Sequence, residues 1–220
     1  IRPSRGLGDV YKRQIYDRGI QREVINVGTG LVQERHTSDF WVFEGVDKRD
    51  YAVSGTWGAD GTTYFWDVTD PAQIRKIDSI QVDARTVNDV KVSEDGRISV
   101  ISREGASSRR NGIVIIDTTN PYDVNIISEY TTNLTGGVHN VFIYQDHVFA
   151  LSNGERFYVI NIEDPKNPYE VGMFEIGEKG QAIHDVWIED GIAYSSNWKH
   201  GVYIIDVGNG VAGGSPSNPV

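Results

Sequence analysis

The chain has 220 residues and a formal net charge of −10, with 31 acidic against 21 basic side chains. A surface this acidic repels phosphate backbones and argues against nucleic-acid binding, while the lack of cysteine excludes disulfides and thiolate chemistry and agrees with an extracytoplasmic protein. The length suffices for a sizeable core, and no apolar run reaches the eighteen or so residues that span a bilayer.

Residues 1–14 are set aside. Ser4 to Gln14 reads as the in-frame translation of a transposon-type sequencing adapter, so this segment is treated as non-native. The chain is therefore expected to be a fragment, with its true N-terminus and any signal peptide upstream. Removing Arg2, Arg5, Asp9, Lys12 and Arg13 takes away a net +3 and leaves the remainder at about −13. Residues 15–220 form the domain proper, and Arg22 to Val27 has the β-propensity of a closing strand.

A strand-and-turn module then recurs four times. The first copy (39–82) runs Asp39 to Glu44, Tyr51 to Gly55, Thr63 to Asp67 and, after Asp70-Pro71, Ile74 to Val82. The second (87–130) runs Val87 to Val92, Arg97 to Ser102, Gly112 to Asp117 and, after Asn120-Pro121, Val124 to Tyr130. The third (138–176) runs Val138 to Ile143, His147 to Leu151, Phe157 to Ile162 and Tyr169 to Ile176. In the fourth (183–220), Ile183 to Ile188, Ile192 to Ser196 and Val202 to Val207 are followed by Asn218-Pro219-Val220, where a fourth strand is due to begin. Short strands repeating every forty-odd residues predict an all-β fold, a β-propeller of four-stranded antiparallel blades. About four blades of a larger propeller are expected here.

The third strands Ile113-Val114-Ile115-Ile116 and Val202-Tyr203-Ile204-Ile205 are apolar on both faces, so each blade must lie between neighbours. The Asx residues that end them, Asp67, Asp117, Asn161 and Asp206, are read as turn caps rather than metal ligands. Here a resemblance becomes specific. Asp117-Thr-Thr-Asn-Pro-Tyr, Asn161-Ile-Glu-Asp-Pro-Lys-Asn-Pro and Gly201-Val-Tyr-Ile-Ile-Asp-Val resemble the LVIVD-repeat family of bacterial and archaeal propellers. The resemblance implies a secreted, periplasmic or surface-attached propeller with no established activity. The Gly208 to Gly214 segment and Phe65-Trp66 depart from the pattern. Trp66-Asp67 does not make a WD40 repeat, because the upstream Gly-His pair is missing.

Candidate chemistry falls to histidines and aromatics. His139 and His184 hold equivalent places just before the innermost strand, where Asn88 stands in the second copy and Ser38 in the first. Those positions converge at the channel mouth, and with His36 the two imidazoles suit a transition metal. The alternative is that each of these histidines hydrogen-bonds the backbone of the neighbouring blade as a repeat-encoded spacer. Trp57, Tyr194 and Trp198, at hairpins or strand ends, are candidates for a loop-face contact with a protein, glycan or polymer. No nucleophile elbow, P-loop, dinucleotide fingerprint or calcium loop is present. The reading is a non-catalytic extracytoplasmic binding scaffold; a metal-binding or enzymatic propeller is the alternative.

Overall fold

The structure, a computed structural model, describes residues 27–30, 32, 35–177 and 182–220. Residues 1–14 and the closing-strand candidate Arg22 to Val27, apart from Val27, lie outside the described residues.

The four sequence repeats are four antiparallel sheets. The first is β1 (His36–Glu44), β2 (Asp50–Trp57), β3 (Thr62–Asp67) and β4 (Arg75–Gln81). The second is β5 (Val90–Val92), β6 (Ile98–Arg103), β7 (Gly112–Asp117) and β8 (Asn125–Tyr130). The third is β9 (Val138–Tyr144), β10 (His147–Ser152), β11 (Arg156–Asn161) and β12 (Tyr169–Glu175). The fourth has three strands, β13 (Asp185–Glu189), β14 (Ile192–Ser196) and β15 (Val202–Asp206), with one 3-10 turn at Trp198–His200 between the last two. Each sheet pairs its strands in chain order, the meander of a propeller blade.

Local turn chemistry sets the blade ends. Each third strand closes with an Asx side chain accepting the amide two residues on: Asp67 from Thr69 at 3.1 Å, Asp117 from Thr119 at 2.9 Å, Asn161 from Glu163 at 3.1 Å and Asp206 from Gly208 at 3.0 Å. The cap reading of these four residues is what the structure displays. Asp206 goes further, because its Gly-rich loop wraps the carboxylate and also directs Gly210 N–H to Oδ1 and Ala212 and Gly214 N–H to Oδ2.

The core consists of three blade-to-blade seams. Phe43, Val53 and Phe65 meet Val90, Val92 and Ile101 between the first two blades. Val100, Ile113 and Ile115 meet Val141, Ala150 and Ile160 in the middle. Phe149, Phe157 and Val159 meet Val186, Ile188 and Ala193 between the last two. Burying both faces of every sheet is what the doubly apolar third strands require. At one point the approach is close enough to demand glycine: a Cβ on Gly55 in β2 would lie 2.3 Å from the carbonyl oxygen of Val87 in the next blade.

Candidate functional site

Repeat-equivalent residues of the inner strands form rings around one axis. The ring at the mouth is Ser38, Asn88, His139 and His184. The next is Asp39, Asp89, Asn140 and Asp185, and the third is Trp41, Lys91, Phe142 and Trp187. Contacts within the rings bring all four blades together. The imidazoles of His139 and His184 lie 5.3 Å apart, centroid to centroid, and Asn140 Nδ2 donates to Asp185 at 3.1 Å. Trp41 of the first blade lies 6.2 Å from Trp187 of the fourth and 6.3 Å from Phe142 of the third.

The mouth opens into a cavity of about 360 Å³ lined by His36, Asn88, His139, His184 and Trp57, together with Thr37, Ser38, Asp39 and Asn140. The four candidate mouth residues thus line one cavity. Trp57 ends β2 and stands edge-on to His36 at 6.2 Å. Trp198 opens the 3-10 turn and stands edge-on to His184 at 4.6 Å, in a second cavity of about 290 Å³ that His139, His184 and Glu104 also line. Both indoles are largely exposed. Tyr194 is a correction. It sits in the middle of β14, on the sheet face in one row with Trp187 and Ile204, and not at a hairpin or strand end.

The two halves of the mouth do different work. Ser38 Oγ donates to the carbonyl of Val87, and Asn88 Nδ2 donates to the carbonyl of His139 at 2.9 Å, so these two side chains tie each blade to the next. The spacer role expected of the histidines thus falls to Ser38 and Asn88. His139 instead turns its Nδ1 to Glu104 Oε1 at 3.1 Å. The hydrogen bond to this carboxylate raises the His139 pKa above the ordinary imidazole value, against the opposing effect of partial burial.

Beneath the mouth, Lys91 Nζ lies between two carboxylates, 2.9 Å from Asp39 and in direct contact with Asp89, and 5.0 Å over the Trp41 ring. Asp89 also accepts the amides of Val90 at 2.9 Å and, across the blade boundary, Val141 at 2.8 Å. Burial pushes the Asp89 carboxyl up and its hydrogen bond with Asp39 adds to this, while Lys91 opposes both. Burial alone would raise Asp39 as well, but its hydrogen bonds to Asp89 and Lys91 hold it below the usual carboxylate range. The group fixes the angular position of three blades around the axis. Among the described residues no group of three His, Cys, Asp or Glu side chains is disposed to hold a metal.

Sequence reasoning missed Glu104 and Lys91. Glu104 belongs to the long hairpin of the second blade, which reads as a solvated insertion until the third blade is placed against it. Lys91 stands two residues after the ring Asx, and that spacing, applied to all four copies, would have found it.

No protein-family model matches this chain, and no curated protein matches it. The family expected from the repeat motif therefore has no counterpart in these comparisons. Among solved structures, the chain is similar to a hypothetical selenium-binding protein from Sulfolobus tokodaii, with a TM-score of 0.62 at 13% sequence identity. The match covers 78% of this chain and 48% of that one, so the chain spans about half the length of the protein it resembles. At that identity the likeness concerns the fold: the four sheets are blades of a β-propeller.

Proposed function

We propose that this chain is the propeller part of a non-catalytic, extracytoplasmic binding protein of the LVIVD-repeat type, and that its axial mouth takes a glycan. The observation that carries the reading is the convergence of His36, Asn88, His139 and His184 with Trp57 on one open cavity, and the edge-on contact of exposed Trp198 with His184. Indoles offer a flat apolar face to the C–H side of a sugar ring, and imidazole, amide and carboxylate groups beside them meet its hydroxyls. Among the described residues, nothing in the mouth is arranged as a nucleophile with a base, which favours binding over turnover. The extracytoplasmic assignment rests on the repeat motif and the lack of cysteine.

The test is calorimetric titration with a panel of neutral and acidic oligosaccharides. At least one should bind, and Trp198→Ala and Trp57→Ala should each weaken it by about tenfold or more. Binding unchanged in the double indole variant would overturn the reading. A second reading, favoured by the His139–His184 contact, is that these two imidazoles alone take up a transition metal, with solvent completing its coordination. Stoichiometric copper, zinc or iron in the purified protein, lost in His139→Ala/His184→Ala, would support it.

A further inference from the structure

The two cavities at the mouth are neighbours. The axial one, of about 360 Å³, and the lateral one, of about 290 Å³, have His139 and His184 in common, with the two rings 5.3 Å apart. Each cavity has its own indole: Trp57 beside His36 in the axial cavity, Trp198 beside His184 in the lateral one. Both volumes stand near the lower end of the range of roughly 300–1,000 Å³ typical of small-molecule sites, and together they fall well inside it. The lateral cavity is built across seams between adjacent blades. Glu104 comes from the second blade, His139, Gly137 and Gly154 from the third, His184 and Trp198 from the fourth.

The polar groups of the two cavities differ in what they have left to offer a ligand. In the axial cavity most are committed to the fold: Ser38 Oγ donates to the Val87 carbonyl, Asn88 Nδ2 to the His139 carbonyl and Asn140 Nδ2 to Asp185, while Asp39 accepts from Lys91. In the lateral cavity a single bond, His139 Nδ1 to Glu104 Oε1 at 3.1 Å, occupies one atom of each group. Among the described residues nothing is bonded to Nε2 of that ring or to Oε2 of that carboxylate. Hydrogen bonds from a hydroxyl to an ionised partner are about twice as strong as neutral ones. The glycines of the lateral wall carry no Cβ, so a ring can come close to the backbone there.

We infer that the two cavities are unequal subsites for one extended ligand, an oligosaccharide that binds first in the lateral cavity, on Trp198 beside the His139–Glu104 pair, and whose continuation crosses the two imidazoles to Trp57. The inference rests on the glycan reading of the mouth and adds to it the length of the ligand and the order in which its parts bind. The lateral subsite comes first because its charged pair has hydrogen-bonding capacity to spare. The axial subsite, whose polar groups already tie the blades together, contributes through its indole and only to a sugar delivered to it by the filled lateral one. A linked ring arrives there at a high effective concentration, so a weak second subsite still raises the affinity of a longer chain.

Calorimetric titration of the 220-residue chain with two-ring and six-ring members of three series, β-1,4-glucan, β-1,4-linked N-acetylglucosamine and α-1,4-galacturonan, tests this. In a series that binds, the six-ring member should bind about tenfold or more tightly than the two-ring member. Trp198→Ala should weaken both lengths by about tenfold, whereas Trp57→Ala should weaken the six-ring member by about tenfold and leave the two-ring member within about twofold. Both side chains are more than half exposed, so neither substitution opens a blade seam, and far-ultraviolet circular dichroism with the melting midpoint checks that each variant is folded. Equal affinity for the two lengths would overturn the inference and leave the glycan reading standing. So would a Trp57→Ala variant that loses the two-ring member as severely as the six-ring one. Absence of binding in all three series at both lengths would overturn the glycan reading and this inference with it.

Discussion

Asp206 and Val220 exchange both backbone hydrogen bonds, Asp206 N–H to Val220 O at 2.7 Å and Val220 N–H to Asp206 O at 3.0 Å. Val220 therefore stands against the end of β15 where Arg75 faces Asp67, Asn125 faces Asp117 and Tyr169 faces Asn161 in the other blades. Its register is that of the first outer-strand residue in the other three blades.

The Asp206 carboxylate organises the approach to that position, so its neutralisation should be felt at the end of the blade. Burial alone would raise its pKa, but the amides of Ala212, Gly210, Gly208 and Gly214 hold it well below the ordinary value. A depressed folded pKa gives stability that is present above the unfolded value of about 3.9 and lost as pH falls below it. The melting midpoint should fall steeply from about pH 4 downward, and less steeply in Asp206→Asn. At pH 7 Asp206→Asn should melt lower than the unaltered chain, because its carboxamide nitrogen turns a donor towards the N–H groups of Ala212 and Gly214.

Nuclear magnetic resonance titration of the imidazole protons should place His139 above the ordinary histidine range, and Glu104→Gln should bring it down. The sign follows from the pair: the charged imidazolium is favoured, so its contribution to stability is present below the unfolded pKa near 6.5 and fades as pH rises through the folded value. Equal titration of His139 in both proteins would show that the 3.1 Å contact with Glu104 is not formed in solution.

Phe157 is fully buried in the seam between the third and fourth blades, 5.6 Å from Phe149 and 5.5 Å from Phe174 by ring centroids. Phe157→Ala should lower the unfolding free energy by about 3–5 kcal/mol in urea denaturation, the range for aromatic truncation in a packed core. A loss under about 1 kcal/mol would mean that the seam is loosely packed.

Asn88→Ala removes the side-chain donor to the His139 carbonyl and should cost about 1 kcal/mol in the same assay. Because its amide also lines the proposed glycan cavity, binding should weaken as well, though less than in Trp198→Ala.

The blades and their caps were legible because the signals are local: an Asx two residues before a free amide, as in Asp117-Thr118-Thr119, is read from a tripeptide. Strand starts were less so. The first strand of the second blade begins at Val90 and not at Val87, because Val87 N–H is taken by Thr56 of the preceding blade and Asp89 N–H by the Ser102 hydroxyl. Such bonds depend on which sheets are neighbours, which no window along the chain contains. The convergence of His139 and His184 was legible from repeat alignment, whereas Glu104 was not, since it reaches His139 from another blade. Tyr194 was readable in principle, because the alternation in β14 puts it on a sheet face.

The third ring carries three aromatics and one lysine, so the repeats are not interchangeable parts. Exchanging the second module for a copy of the third would put a phenylalanine where Lys91 stands and leave Asp39 with an uncompensated negative charge near the axis. The order of modules along the gene is thus constrained by electrostatics as well as by fit, and shuffled or duplicated versions of this propeller would need a cation restored at that one position.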